Sequence, residues 1–287
     1  MGQEHVVGRR TAGWPRVLRR WAWVVVLVVG WGLYELVREV VLTTRNPNLL
    51  PALILLGATV VPAAFVVFIF ERRLVFGVHG AAVGVTALLG GVIGVVTAGS
   101  LEYRTLQALG VLHMAGVGLI EEAAKLLVPA AALLVFRQNR HPADGLLLGV
   151  ASGAGFAVLE TMGYAFVALV ASRGDLAVVN TVLFDRGLFS PAAHMAWTGL
   201  AACALWMAAI DQWRRRSVAR FVGVYLLVSI LHAAWDSTGD LRIYAGLAAV
   251  SLGLLVWTTH RLARPRVPSP VGVGERAGAV PRVTAAE

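Results

Sequence analysis

The chain has 287 residues, 58% hydrophobic and 14% charged, with a net charge of +9 and a mean hydropathy of +0.74. Its apolar residues fall in repeated runs of about twenty, the length that crosses roughly 30 Å of hydrocarbon, which excludes a soluble globular protein. The basic excess sits in short segments between these runs, as positive-inside topology requires, so it does not point to nucleic acid. The single Cys203, inside an apolar run, excludes an intramolecular disulfide and a cysteine-based metal site.

The expected fold is all-α, a polytopic membrane helical bundle of eight transmembrane helices. In chain order these are Trp21–Leu42, Leu49–Phe70, Gly80–Gly99, Gln107–Phe136, Asp144–Ala171, Pro191–Ile210, Val218–Asp236 and Arg242–Leu262. Alternating the loops puts Arg9, Arg10, Arg16, Arg19, Arg20, Arg72, Arg73, Arg137, Arg140, Arg214 to Arg216, Arg220, Arg261, Arg264 and Arg266 on one face. The other face receives Arg45, Arg104, Arg173, Arg186 and Arg242. The asymmetry places both termini in the cytoplasm. Residues 1–20 read as a basic cytoplasmic segment, 21–262 as a single membrane domain and 263–287 as a flexible cytoplasmic tail. Glu35 and Arg38, three apart in the first span, read as an interfacial ion pair.

The fourth span holds the only lysine of the chain in Glu121-Glu122-Ala123-Ala124-Lys125. At about 100° per residue Lys125 falls between the directions of the two glutamates, one turn on. Each charge at mid-bilayer costs roughly 2.5 to 3.5 kcal/mol of insertion energy, which makes the triad a functional-site candidate as well as a possible packing lock. Pro129, in the same span, removes a backbone hydrogen bond and is expected to kink the helix below the triad. His113 precedes the triad by two turns.

The fifth span carries Ser152-Gly153-Ala154-Gly155, small residues that permit close helix packing, then Phe156 and Glu160, four apart on one face, so that the aromatic ring screens the acid from lipid. The sixth opens with His194-Met195-Ala196-Trp197-Thr198, and the seventh ends with His232-Ala233-Ala234-Trp235-Asp236. In both, an aromatic follows the histidine by three and a hydroxyl or carboxylate by four, hence on the same face. By the loop count, Glu160, His194 and His232 lie in the outer half of the bilayer and Glu121 and Glu122 at mid-depth, so residues from four helices converge on one cavity.

Taken together, Glu121-Glu122-x-x-Lys125, Phe156-x-x-x-Glu160, His194 with Thr198, and His232 with Trp235 and Asp236 resemble the PrsW family of intramembrane proteases over roughly Gln107 to Ser237. They are more distantly similar to the CAAX prenyl protease and bacteriocin-processing superfamily. Thr161 and Asp236 stand where the family pattern usually has asparagine. The resemblance implies hydrolysis of a peptide bond in or beside the span of a single-span membrane protein, with an anti-sigma factor as the best-known kind of substrate, in a bacterial plasma membrane.

Peptide hydrolysis needs an activated water, oxyanion stabilisation and a proton for the amine. Glu121, Glu122, Glu160, His194 and His232 are the expected catalytic residues, supported by Lys125, Phe156 and Asp236. Two versions stand open. Without metal, Glu121 is the general base and the histidines polarise the carbonyl; with zinc, Glu160, His194 and His232 are the ligands and a glutamate of the pair remains the base. A proton- or ion-coupled transporter using the same residues as a relay, or a non-catalytic scaffold, is the alternative; no internal repeat of the kind transporters show is found.

Overall fold

A computed structural model describes residues 20–72, 74, 76–109, 113–135 and 141–263. Nearly all of the expected N-terminal segment and tail lie outside these residues. The described residues form nine α-helices and no strand: α1 (Ala22–Thr44), α2 (Leu50–Phe70), α3 (Gly80–Leu109), α4 (His113–Val135), α5 (Pro142–Ala171), α6 (Leu176–Phe189), α7 (His194–Ile210), α8 (Arg215–Asp236) and α9 (Leu241–Ala263). Single 3₁₀ turns, Pro47–Leu49 and Ser190–Ala192, lead into α2 and α7. Six stretches, in α2, α3, α5, α6 with α7, α8 and α9, are long and apolar enough to cross a membrane on composition alone. The other two expected spans each carry three charges, Glu35, Arg38 and Glu39 in α1 and Glu121, Glu122 and Lys125 in α4.

Helix α5 is the centre of the bundle. From Pro142 to Ala154 every residue is buried, because α3 packs along one side and α7 along the other. Glycine permits this approach. A Cβ on Gly155 would run into the carbonyl of Ala87 on α3, and one on Gly153 into the carbonyl of His194 on α7. With a Cβ at either site the helix axes would have to separate, as small-residue packing in membranes predicts. The start of α5 is fastened by a capping box between His141 and Asp144. The fully buried Asp144 also accepts from the amides of Gly77 at 2.7 Å and Val78 at 3.2 Å, which ties the α2–α3 connection to the same point.

The bundle corrects the expected elements in three places. Helix α3 runs to Leu109 and α4 begins at His113, so Gln107 belongs to the third helix; Leu101, Glu102, Leu106, Gln107 and Ala108 are good helix formers, and charge marks the end of the apolar stretch without ending the helix. The segment between the fifth and sixth spans, expected as a loop, contains the 14-residue α6. Its signals are present: Asp175 caps it by accepting from the Ala177 amide at 2.8 Å, and Leu176, Val179 and Leu183 recur at helical spacing. At about 21 Å it is too short to span, and it packs against α2 and α5, with Tyr34 of α1 donating to Asn180 at 2.7 Å. Helix α7 starts at His194, one residue after Ala193, whose backbone (φ −109°, ψ −114°) interrupts the chain between the 3₁₀ turn and the helix. Glu35 and Arg38 pair at 3.0 Å as expected.

Overpacking at a helix crossing costs about 1–3 kcal/mol. Gly155→Ala is therefore expected to lower the unfolding temperature in detergent by several degrees, whereas Gly163→Ala, with nothing within 4 Å of the added Cβ, leaves it unchanged or slightly raised; circular dichroism melting curves of the two variants check this.

Candidate active site

Lys125 is 0% exposed, so its ammonium must find every acceptor inside the protein. It finds three. Nζ donates to Glu121 Oε2 at 3.0 Å, to Glu122 Oε1 at 2.9 Å, and lies 2.8 Å from His194 Nδ1. The first two partners follow from helical spacing within α4, as the sequence implies; the third comes across from α7. The ring of Phe156 closes the remaining side, its centroid 4.1 Å from Nζ, a cation–π contact in a desolvated setting. Phe156 thus covers the lysine, where the sequence suggested a shield for Glu160. The carbonyl of Lys125 also receives the Ser152 hydroxyl at 2.7 Å, pinning α4 to α5.

An ammonium only donates, so His194 accepts at Nδ1 and turns its Nε2 proton to Glu160 Oε2, 2.9 Å away. Arg186 Nη2 pairs with the same oxygen at 2.6 Å. His232 is the second imidazole. Its Nδ1 lies 2.9 Å from Glu122 Oε1, while Nε2 lies 3.4 Å from Glu121 Oε2 and 3.2 Å from Asp236 Oδ2. Trp197 stacks on the His232 ring at 4.9 Å and is itself held by donating Nε1 to Ser251 of α9 at 2.9 Å. The two imidazoles meet at a centroid separation of 5.1 Å. Thr198 reaches Glu122 Oε2 at 3.5 Å.

All the residues expected at the site, Glu121, Glu122, Lys125, Phe156, Glu160, His194, His232 and Asp236, are therefore linked in one network built from α4, α5, α7 and α8. His113 opens α4, and its side chain is outside the described residues. Pro129 sits inside an uninterrupted α4. Two participants are not singled out by the sequence. Arg186 reads there only as a loop arginine; it lies in the last turn of α6, three residues after the buried Leu183, on the face that spacing alone would have turned inward. Glu102 of α3, a helix packed along α4, has a buried Oε1 without a hydrogen-bond partner among the described residues.

The donor set suits a divalent metal. Ligand atoms of Glu121, His194 and His232 all lie within 4.8 Å of one another, and two imidazoles with one carboxylate are a ligand set of catalytic zinc. Charge agrees. The carboxylates of Glu121, Glu122, Glu160 and Asp236 face Lys125 and Arg186, a surplus of two negative charges in a desolvated site, which a divalent cation or two imidazolium protons would balance. This trio differs from the expected Glu160, His194 and His232 in its carboxylate. Glu160 instead lies 2.9 Å from Nε2 of His194, so to ligate an ion His194 would exchange one present neighbour, Lys125 at Nδ1 or Glu160 at Nε2, for the metal.

A bundle of apolar helices that gathers acids and imidazoles in its interior, with a donor set fit for a hydrolytic metal, defines a multi-pass membrane enzyme. A family model described as PrsW family intramembrane metalloprotease matches residues 45–263, which contain the whole network. The chain belongs to this family and is an intramembrane protease. No curated relative and no solved structure matches it.

Removing one partner of a buried ion network leaves its charges unpaired at a cost of about 3–5 kcal/mol. Lys125→Met, which strands Glu121 and Glu122 together, is expected to unfold far below the wild type in detergent, and Lys125→Met with Glu122→Gln to recover part of the loss; melting curves of the two variants read the coupling.

Proposed function

We propose that the protein hydrolyses a peptide bond of a single-span membrane protein, a substrate of the anti-sigma-factor kind, near the extracytoplasmic side of its span in a bacterial plasma membrane, with Glu121 as general base. The observation that carries the choice of base is the unequal use of the two glutamates. Glu122 is 0% exposed and has both oxygens engaged, Oε1 by Lys125 and His232, Oε2 by Thr198. The pairings of Glu121 with Lys125 and His232 both fall on Oε2. Its Oε1 is the oxygen left to hold a water and take its proton.

The side of approach is supported by a cavity of about 450 Å³ bounded by Arg186, His194, Trp235, Asp236 and Tyr244. It lies where α6 and α8 end and α9 begins, which the arginine count makes the extracytoplasmic end. A substrate segment entering there meets His194 and Asp236 first, and the sealed pair Lys125 and Glu122 stays behind them. Lys125 keeps the two carboxylates of the pair in place, Glu122 orients His232 through Nδ1, and Glu160 orients His194 through Nε2. Glu121, His194 and His232 would hold a metal. When bound, a divalent ion such as zinc supplies Lewis acidity to a water or a carbonyl.

New membrane-protein N-termini compared by mass spectrometry between cells carrying the wild type and Glu121→Gln, at matched expression, test the reading. The cleavages are expected to drop by about 100-fold or more, as loss of a general base implies; unchanged termini would remove Glu121 from that role. For the metal, elemental analysis of the purified wild type is expected to find about one divalent ion per chain, lost in His194→Gln. A metal-free preparation that still cleaves would assign the chemistry to the carboxylates alone.

A further inference from the structure

Hydrolysis of an amide is accelerated by a donor aimed at the carbonyl oxygen where charge develops, and a cation is a strong one. Lys125, the obvious cation, cannot serve. It is 0% exposed, and its three protons are taken by Glu121, Glu122 and His194. His232 is 1% exposed and has carboxylates at both nitrogens. Among the described residues lining the cavity beside His194, the one arginine or lysine is Arg186.

Arg186 is held on one edge and one face and open elsewhere. Nη2 forms an ion pair with Glu160 Oε2 at 2.6 Å, and the guanidinium lies 3.9 Å from the centroid of the Tyr164 ring. Its side chain keeps 29% of its surface. The buried Nε has no hydrogen-bond partner among the described residues. A guanidinium is rigid and planar, so fixing one edge aims the remaining donors. Because Arg186 Nη2 and His194 Nε2 lie 2.6 Å and 2.9 Å from the same oxygen of Glu160, a carbonyl seated in the cavity against His194 lies within reach of the guanidinium.

We propose that Arg186 is a catalytic residue that donates to the carbonyl oxygen of the scissile bond and stabilises the oxyanion. The inference rests on the protease reading above. A water oxygen bonds the carbonyl carbon while Glu121 takes one of its protons. The carbonyl π pair moves onto oxygen, and Arg186 donates to the resulting anion. On collapse the carbon–nitrogen bond breaks with its pair going to nitrogen, and Glu121 returns the proton to the leaving amine. The products are a carboxylic acid and an amine, with water the only co-reactant. Helix α6 then serves a purpose beyond packing, since it carries this donor to the mouth of a site built on α4, α5, α7 and α8.

The test uses full-length tagged protein in cells, with the cell's own membrane proteome as the probe, comparing wild type, Glu121→Gln, Arg186→Met and Arg186→Lys. New N-termini are counted by mass spectrometry, and uncleaved substrate co-purifying with each variant is measured after crosslinking. Arg186→Met is expected to lose about 100-fold or more of the cleavage, the scale of an oxyanion donor, while it captures uncleaved substrate as Glu121→Gln does. Arg186→Lys retains a measurable part of the cleavage. Wild-type cleavage by Arg186→Met overturns the proposal and leaves the protease reading intact. Loss of capture along with cleavage, or a melting temperature far below wild type in both Arg186 variants, makes the residue structural and also overturns it. Absence of any Glu121-dependent cleavage in the wild type defeats the protease reading first, and the inference falls with it.

Discussion

A lysine ammonium with no exposed surface dictates much of this molecule. In water its charge is solvated without cost to the fold; inside the bundle it must be met by acceptors in a medium where an uncompensated charge costs many kcal/mol. Lys125 meets Glu121 and Glu122 along its own helix, His194 across from α7 and the Phe156 ring from α5. Those contacts fix the rotation of α4 relative to its neighbours. They also set the tautomer of His194, hence the position of Glu160 and, through Glu160, the anchoring of Arg186.

Close helix approach makes these distances attainable. Side chains of ordinary size at 91, 153 or 155 would hold α3 and α7 away from α5, and the bonds of 2.8–2.9 Å between α4, α5 and α7 would open. In a membrane no hydrophobic force drives one apolar helix onto another, so fine packing and polar links must do what core burial does in a soluble protein. The glycines and the ion network are thus two halves of one device. The first lets the helices come together, and the second makes them stay in one register.

The network is graded from the inside outward. Glu122, Lys125 and His232 are sealed, Glu121 and His194 are nearly so, and Glu160, Asp236 and Arg186 keep 19%, 31% and 29% of their side-chain surfaces. Sealed charges are rigid because they have no alternative partners, which suits them to positioning. The partly open groups border the cavity and are the ones a substrate and a water meet. An enzyme that works inside a membrane needs this separation, since the same desolvation that strengthens each electrostatic contact would otherwise exclude the water it consumes.

The sequence by itself determined what depends on short-range spacing. Runs of about twenty apolar residues define spans whatever surrounds them, and three or four residues along a helix place Lys125 against both glutamates and Asp236 under His232. That is why the helical bundle and the membership of the site are legible in the residues alone. The tertiary structure decided how the helices face one another: which nitrogen of His194 meets Lys125, that Phe156 covers the lysine, that Glu121 and not Glu160 joins the two histidines as a possible ligand set, and that α6 brings Arg186 to the cavity. These depend on the depth and rotation of separate helices, which the crossing glycines and cross-helix hydrogen bonds set together. Helical periodicity carries no information about partners on another helix, because it encodes only the angle of each residue about its own axis.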